Sequence, residues 1–195
     1  MGCGDRLPDA YGPNQEVMVL ADSLSAPWLS KPLKDLFERT VLTPQEEQIY
    51  RVNFGNVEDF DHHKRRTNLL VAALLDQPNP TSELVGNLLG PSVKEAVRAG
   101  EAGLTWKRNV WAKNQLLMIV TGRDSAHLVS NLRTQADQLY TALEDSRNER
   151  TGDLIYSYGE REEVSQELAD KYGWTIRVPF GYKVLDEKPD SNFVL

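Results

Sequence analysis

Asn68-Leu69-Leu70-Val71-Ala72-Ala73-Leu74-Leu75 decides the fold, because after Asn68 it contains no polar side chain. A nearly continuous aliphatic run of strand length predicts a central strand covered on both faces. Upstream, Asn56 suits a helix N-cap with Asp59 at the reciprocal position, predicting a short helix with Val57 and Phe60 inward. That helix closes on Lys64-Arg65-Arg66, cations that suit a helix C-terminus. Further upstream, residues 48–54 and 15–21 read as strands, with Val17, Val19 and Ala21 on one face. Between them Trp28, Leu29, Leu33, Leu36 and Phe37 recur at helical spacing, and Pro32 is expected to delay the start of their helix.

Downstream, Thr81 is read as the cap of a short helix, which Gly90-Pro91 breaks, and a second short helix runs to about Ala99. Residues 115–120 read as a buried strand. Asp124 caps the longest helical pattern, with Leu128, Leu132, Ala136, Leu139 and Leu143 as its stripe. A further helix over 160–172 ends at Gly173, and strands are expected over 174–178 and 182–185. This mixture predicts an α+β fold, a mostly antiparallel sheet with helices packed on one face, ferredoxin-like topology being one candidate. No solenoid repeat is evident.

The chain of 195 residues suits one domain, expected over 15–195 after a flexible tether over 1–14. The apolar ending Phe193-Val194-Leu195 leads to the expectation that the native protein continues beyond it. A net charge of −7 argues against nucleic acid as a partner.

Cys3 is the one cysteine, and three readings compete for it. It is a stray thiol, a eukaryotic acylation site, or the last residue of a bacterial lipobox. The second wants Ser or Thr where Arg6 stands. Gly2-Cys3 fits the third, with Met1 standing in for a removed signal peptide, and this reading is favoured. It implies a lipid anchor in a bacterial membrane at the envelope, on the periplasmic or outer-membrane face.

For chemistry, Asp59, Asp61, His62 and His63 invite a metal reading, but adjacent histidines do not share a helix face. No metal or cofactor is expected. No Gly-x-Ser-x-Gly elbow, Walker loop or dinucleotide fingerprint is present. The carboxylates over 144–163 alternate with arginines, the pattern of a solvated helix. Trp106-Lys107-Arg108-Asn109-Val110-Trp111-Ala112-Lys113 combines two tryptophans with three cations. Tryptophan stacks on sugar or aromatic faces, and Arg or Lys holds carboxylate or phosphate. Arg66, Trp106, Arg108, Trp111 and Lys113 are therefore the candidate binding residues, against the plainer reading of Trp111 as core and the cations as solubilisers.

Residues 108–115, with Trp111-Ala112-Lys113-Asn114-Gln115, and the segment from Lys171-Tyr172-Gly173 through Pro179-Phe180-Gly181-Tyr182-Lys183 to Asn192-Phe193-Val194 carry a resemblance. They resemble the signatures of a family of Bacteroidota lipoproteins, domain of unknown function 4837, of which this chain would be an N-terminal portion. Residues 14–20 and 66–70 match weakly, Thr67 departing from the family pattern. The resemblance implies an envelope lipoprotein and supplies no catalytic residues. Together these readings give an envelope-anchored binding or assembly module with a protein or glycan partner; the alternative is an envelope hydrolase using a carboxylate pair.

Overall fold

The computed structural model describes residues 7–42 and 44–195, so the lipidation reading of Cys3 lies outside the described residues. The chain divides into two compact units, Met1–Ser146 and Arg147–Leu195.

The first unit is built on a five-stranded sheet. In chain order its elements are β1 Glu16–Leu20, α1 Ala26–Phe37, a hairpin of β2 Thr40–Leu42 and β3 Glu46–Gln48, β4 Arg51–Gly55, α2 Phe60–His63 and β5 Asn68–Leu74. Then follow α3 Pro80–Leu88, α4 Pro91–Ala99, β6 Leu104–Arg108, β7 Leu116–Gly122, α5 Ser125–Thr134 and the start of α6 Ala136–Ile155. The strand order is β4-β1-β5-β7-β6; β4, β1, β5 and β7 are parallel, and β6 alone runs antiparallel.

Two predictions are corrected here. The sheet is mostly parallel, not mostly antiparallel, and ferredoxin-like topology is excluded by its strand order. Helices cover both faces, not one. On one face Val17, Val19, Leu70, Ala72, Met118 and Val120 pack with Leu29, Leu33, Leu128, Leu132 and Leu139 of α1, α5 and α6. On the other, Met18, Leu20, Leu69, Val71, Leu117 and Ile119 pack with Val85 and Val97 of α3 and α4. The reason lies in the strands themselves: β5 and β7 are buried along nearly their whole length, the requirement of a parallel sheet covered twice.

Local differences have local causes. Pro32 lies inside α1, which starts at Ala26 with Pro27 in its first turn, where a missing N–H costs nothing. The long helix expected from Asp124 breaks at Gln135, where Thr134 Oγ1 bonds back to the Ser130 carbonyl at 2.9 Å. Residues 8–11, expected within the tether, bond to the sheet's neighbours: the Lys113 N–H donates to the Pro8 carbonyl at 2.7 Å and the Tyr11 N–H to the Arg65 carbonyl at 3.0 Å.

In the second unit α7 Glu162–Tyr172 buries Val164 and Leu168 and ends at Gly173, whose φ of 74° is the left-handed conformation glycine favours. The strands expected over 174–178 and 182–185 do not form; the described residues there show one isolated bridge, Glu160 to Pro179. β8 Glu187–Lys188 pairs with β9 Phe193–Val194.

Candidate functional site

The stretch that drew attention in the sequence is half a strand. Leu104–Arg108 forms β6, at the edge of the sheet, and a tight connection returns the chain into β7. Asn109 and Asn114 hold that connection with φ of 56° and 66°, values asparagine tolerates. The Asn114 N–H donates to Asn109 Oδ1 at 2.7 Å.

Alternation along β6 sorts its side chains. Trp106 opposes Met118, on the face that α1, α5 and α6 cover. Lys107 points the other way, and its Nζ donates to the Leu88 carbonyl at 3.1 Å. Trp106 and Arg108 thus stand beside α6 and, with Asp137, Gln138, Thr141, Ala142 and Asp145, line an open groove of about 400 Å³. Trp106 keeps 41% of its surface exposed, so part of the residue is open to a ligand. At one end Asp137 Oδ1 accepts from Arg39 Nη2 at 2.9 Å, and that guanidinium lies 4.3 Å from the centre of the Tyr140 ring.

The other candidate residues lie elsewhere. Trp111 packs on the opposite sheet face, its ring edge-on to Phe60 at 5.2 Å, so the two tryptophans do not form one patch. Arg66 pairs with Glu16 at 3.5 Å and lies 5.0 Å from the Tyr11 ring centre. Lys113 is exposed, and its backbone bonds residues 8–10. Arg66 and Lys113 flank a structural lock. Buried Gln115 donates through Nε2 to the Lys64 and Arg66 carbonyls at 2.6 and 3.0 Å and accepts from the Trp111 N–H at 3.1 Å. Buried Asn68 donates to the Asn14 and Glu16 carbonyls at 3.0 and 2.9 Å. The Trp-Ala-Lys-Asn-Gln segment is thus accounted for by holding loops together.

The opposite end of the sheet is where ligands bind in open parallel folds, at the point where the strand order reverses, here between β1 and β5. Of its helix N-termini, those of α3 and α5 are filled by the chain's own side chains, whereas α1 has no side-chain cap and Asp22 bonds the turn ahead of it. Asp22 Oδ1 accepts from the Leu24 and Ser25 N–H groups, both at 3.0 Å, before α1. Asn79 and Asp124 accept from N–H groups of α3 and α5 themselves, at 2.8 Å each. A phosphate cradle needs those donors vacant.

The remaining electrostatics are those of surface pairs. Arg98 hydrogen-bonds Asp76 at 2.7 Å and holds its carboxyl below the ordinary range. Arg177 does so for Glu160, Arg161 for Glu163, Lys64 for Asp61, and the His127 backbone N–H for Asp124. Among the described residues no group of three or more His, Cys, Asp or Glu is placed to hold a metal ion, and no helix is long and apolar enough to cross a membrane.

Sequence reading found Trp106 and Arg108 but missed the wall they face. Gln138, Thr141 and Asp145 lie on the exposed flank of α6, where side chains with and without a binding role look alike.

No curated protein and no solved structure matches this chain significantly. The family finding corrects the resemblance to domain of unknown function 4837. The matched span ends before the second signature, and the first serves the lock around Gln115, a local packing need. The profile that does match covers residues 10–155, and the chain belongs to the family described as Domain of unknown function (DUF8532).

Proposed function

We propose that this chain is a binding module of the bacterial cell envelope, anchored by lipid at Cys3 and engaging its partner through the Trp106 groove. The observation that carries the binding half is the placement of a part-exposed tryptophan beside Gln138, Thr141 and Asp145 in one open groove. An aromatic wall facing amide, hydroxyl and carboxylate groups supplies apolar contact and directed hydrogen bonds to the same ligand. The anchoring half rests on Gly2-Cys3. The hydrolase reading calls for a carboxyl raised in a cleft, whereas each carboxyl with a resolved shift is lowered by a partner on the surface.

Capture from envelope extracts tests the groove. Trp106→Ala combined with Thr141→Arg should lose what the parent chain retains, at unchanged thermal stability. Identical captured material would refute it. Metabolic labelling with a palmitate analogue tests the anchor. The protein expressed with its native leader should label and Cys3→Ser should not; labelling that survives the substitution contradicts the lipid assignment.

A further inference from the structure

The two edges of the sheet are treated differently. In β4 the Arg51 N–H donates to the Gln15 carbonyl, so Arg51 and Asn53 face β1 and the amide of Val52 points away from the sheet. That outward amide is occupied: it donates to Glu38 Oε1 at 2.9 Å. A side chain of the same molecule closes this edge at Val52.

At β6 the Thr121 N–H donates to the Gly103 carbonyl and the Asn109 N–H to the Gln115 carbonyl. Alternation then turns the backbone groups of Thr105 and Lys107 toward β7 and those of Leu104 and Trp106 outward. Among the described residues no strand pairs with that outer side. Charged side chains commonly guard such an edge against pairing. Lys107 is folded back onto the Leu88 carbonyl and does not stand in the way.

We infer that β6 accepts an added strand: an extended peptide pairs with the outward backbone of Leu104 and Trp106 and drops every second side chain into the groove. Residues opposite each other on adjacent strands share a sheet face. A peptide residue opposite Trp106 therefore points toward Asp137, Thr141 and Asp145. Asp137 is already held by Arg39, so Asp145 is the carboxylate that the groove offers a ligand, beside the exposed part of the Trp106 indole. Both features select lysine or arginine at the alternate positions, by ion pairing and by cation–π contact. The chain's net charge of −7 favours approach of such a segment. Backbone pairing supplies affinity and the groove supplies specificity, the division of labour in strand addition.

This inference rests on the groove being a binding site, and the experiment separates the two. The full chain, ¹⁵N-labelled, is titrated with a synthetic peptide of about ten residues alternating Lys and Thr, long enough to span the strand. Two analogues carry N-methyl groups on the Lys positions or on the Thr positions, and a third replaces Lys by Glu. Strand addition predicts amide shifts centred on Trp106. It also predicts that one N-methyl set weakens binding at least about tenfold while the other binds like the parent. The Glu peptide should be weaker by a similar factor. If both N-methyl analogues bind like the parent while Trp106→Ala weakens all three, the groove stands and strand addition is overturned. Absence of any β6 shift also overturns it, leaving the groove to the envelope-capture comparison.

Discussion

At the scale of single residues, the buried polar side chains do the work of joining. Asn68 opens the central strand and is 1% exposed, yet it is polar because its amide is the donor for two loop carbonyls. Asn68→Ala leaves those carbonyls without that donor in a dry site. It should lower stability by about 1–3 kcal/mol, read as a reduced urea midpoint at unchanged slope. Gly103 is constrained by space: a Cβ there would lie 1.9 Å from Asn131 Nδ2 and 2.6 Å from the Thr121 carbonyl oxygen. Backbone carbonyl and buried amide cannot both withdraw, so Gly103→Ala should cost about 1–3 kcal/mol by the same measurement. Trp106 is different in kind, since its exposure means that truncation should change binding far more than stability.

At the scale of elements, capping is the device that recurs. The Asn79 side chain holds the Ser82 N–H at the start of α3, and Asn79→Ala should cost about 1 kcal/mol while Asn79→Asp should be nearly neutral in thermal denaturation. Elements with strong local signals were legible in the sequence. The aliphatic runs of β5 and β7, the caps Asn56 and Asp124 and the C-terminal Gly173 fall where local physics places them. Thr81 was read as the cap of α3, whereas Asn79 two residues earlier holds that place. Strand direction was not legible, because a residue's alternation is the same whichever way its neighbour runs. β6 was missed as a strand because Trp106, Lys107 and Arg108 are all exposed, so burial left no alternating apolar pattern to read. The candidate site was half legible for the same reason: Trp106 and Arg108 stood out by type, whereas their partners on α6 are adjacent only through folding.

At the scale of the whole molecule, surface charge pairs set the response to acid. Asp76 has an ordinary value of 3.8, lowered in the fold chiefly by its hydrogen bond to Arg98. A lowered carboxyl contributes stability that is fully present above its unfolded value and is lost as pH falls through the folded one. Asp61, Asp124, Glu160 and Glu163 share this sign. Stability should therefore decline as pH drops below 4.5 for the two glutamates and below 3.8 for the aspartates, and Asp76→Asn should flatten the lower part of that decline; an unchanged slope would show the pair to be energetically silent in solution. The acidic chain then presents the β6 edge of its five-stranded sheet, unpaired among the described residues, with its groove alongside, and on this the binding proposal depends. Amide hydrogen exchange resolved by residue measures it most directly. The account predicts that Thr105 and Lys107, bonded to β7, are protected, while the Trp106 amide between them exchanges near the rate of an unstructured chain. Protection of Trp106 equal to that of Thr105 would mean that the edge is already covered, and would contradict the account.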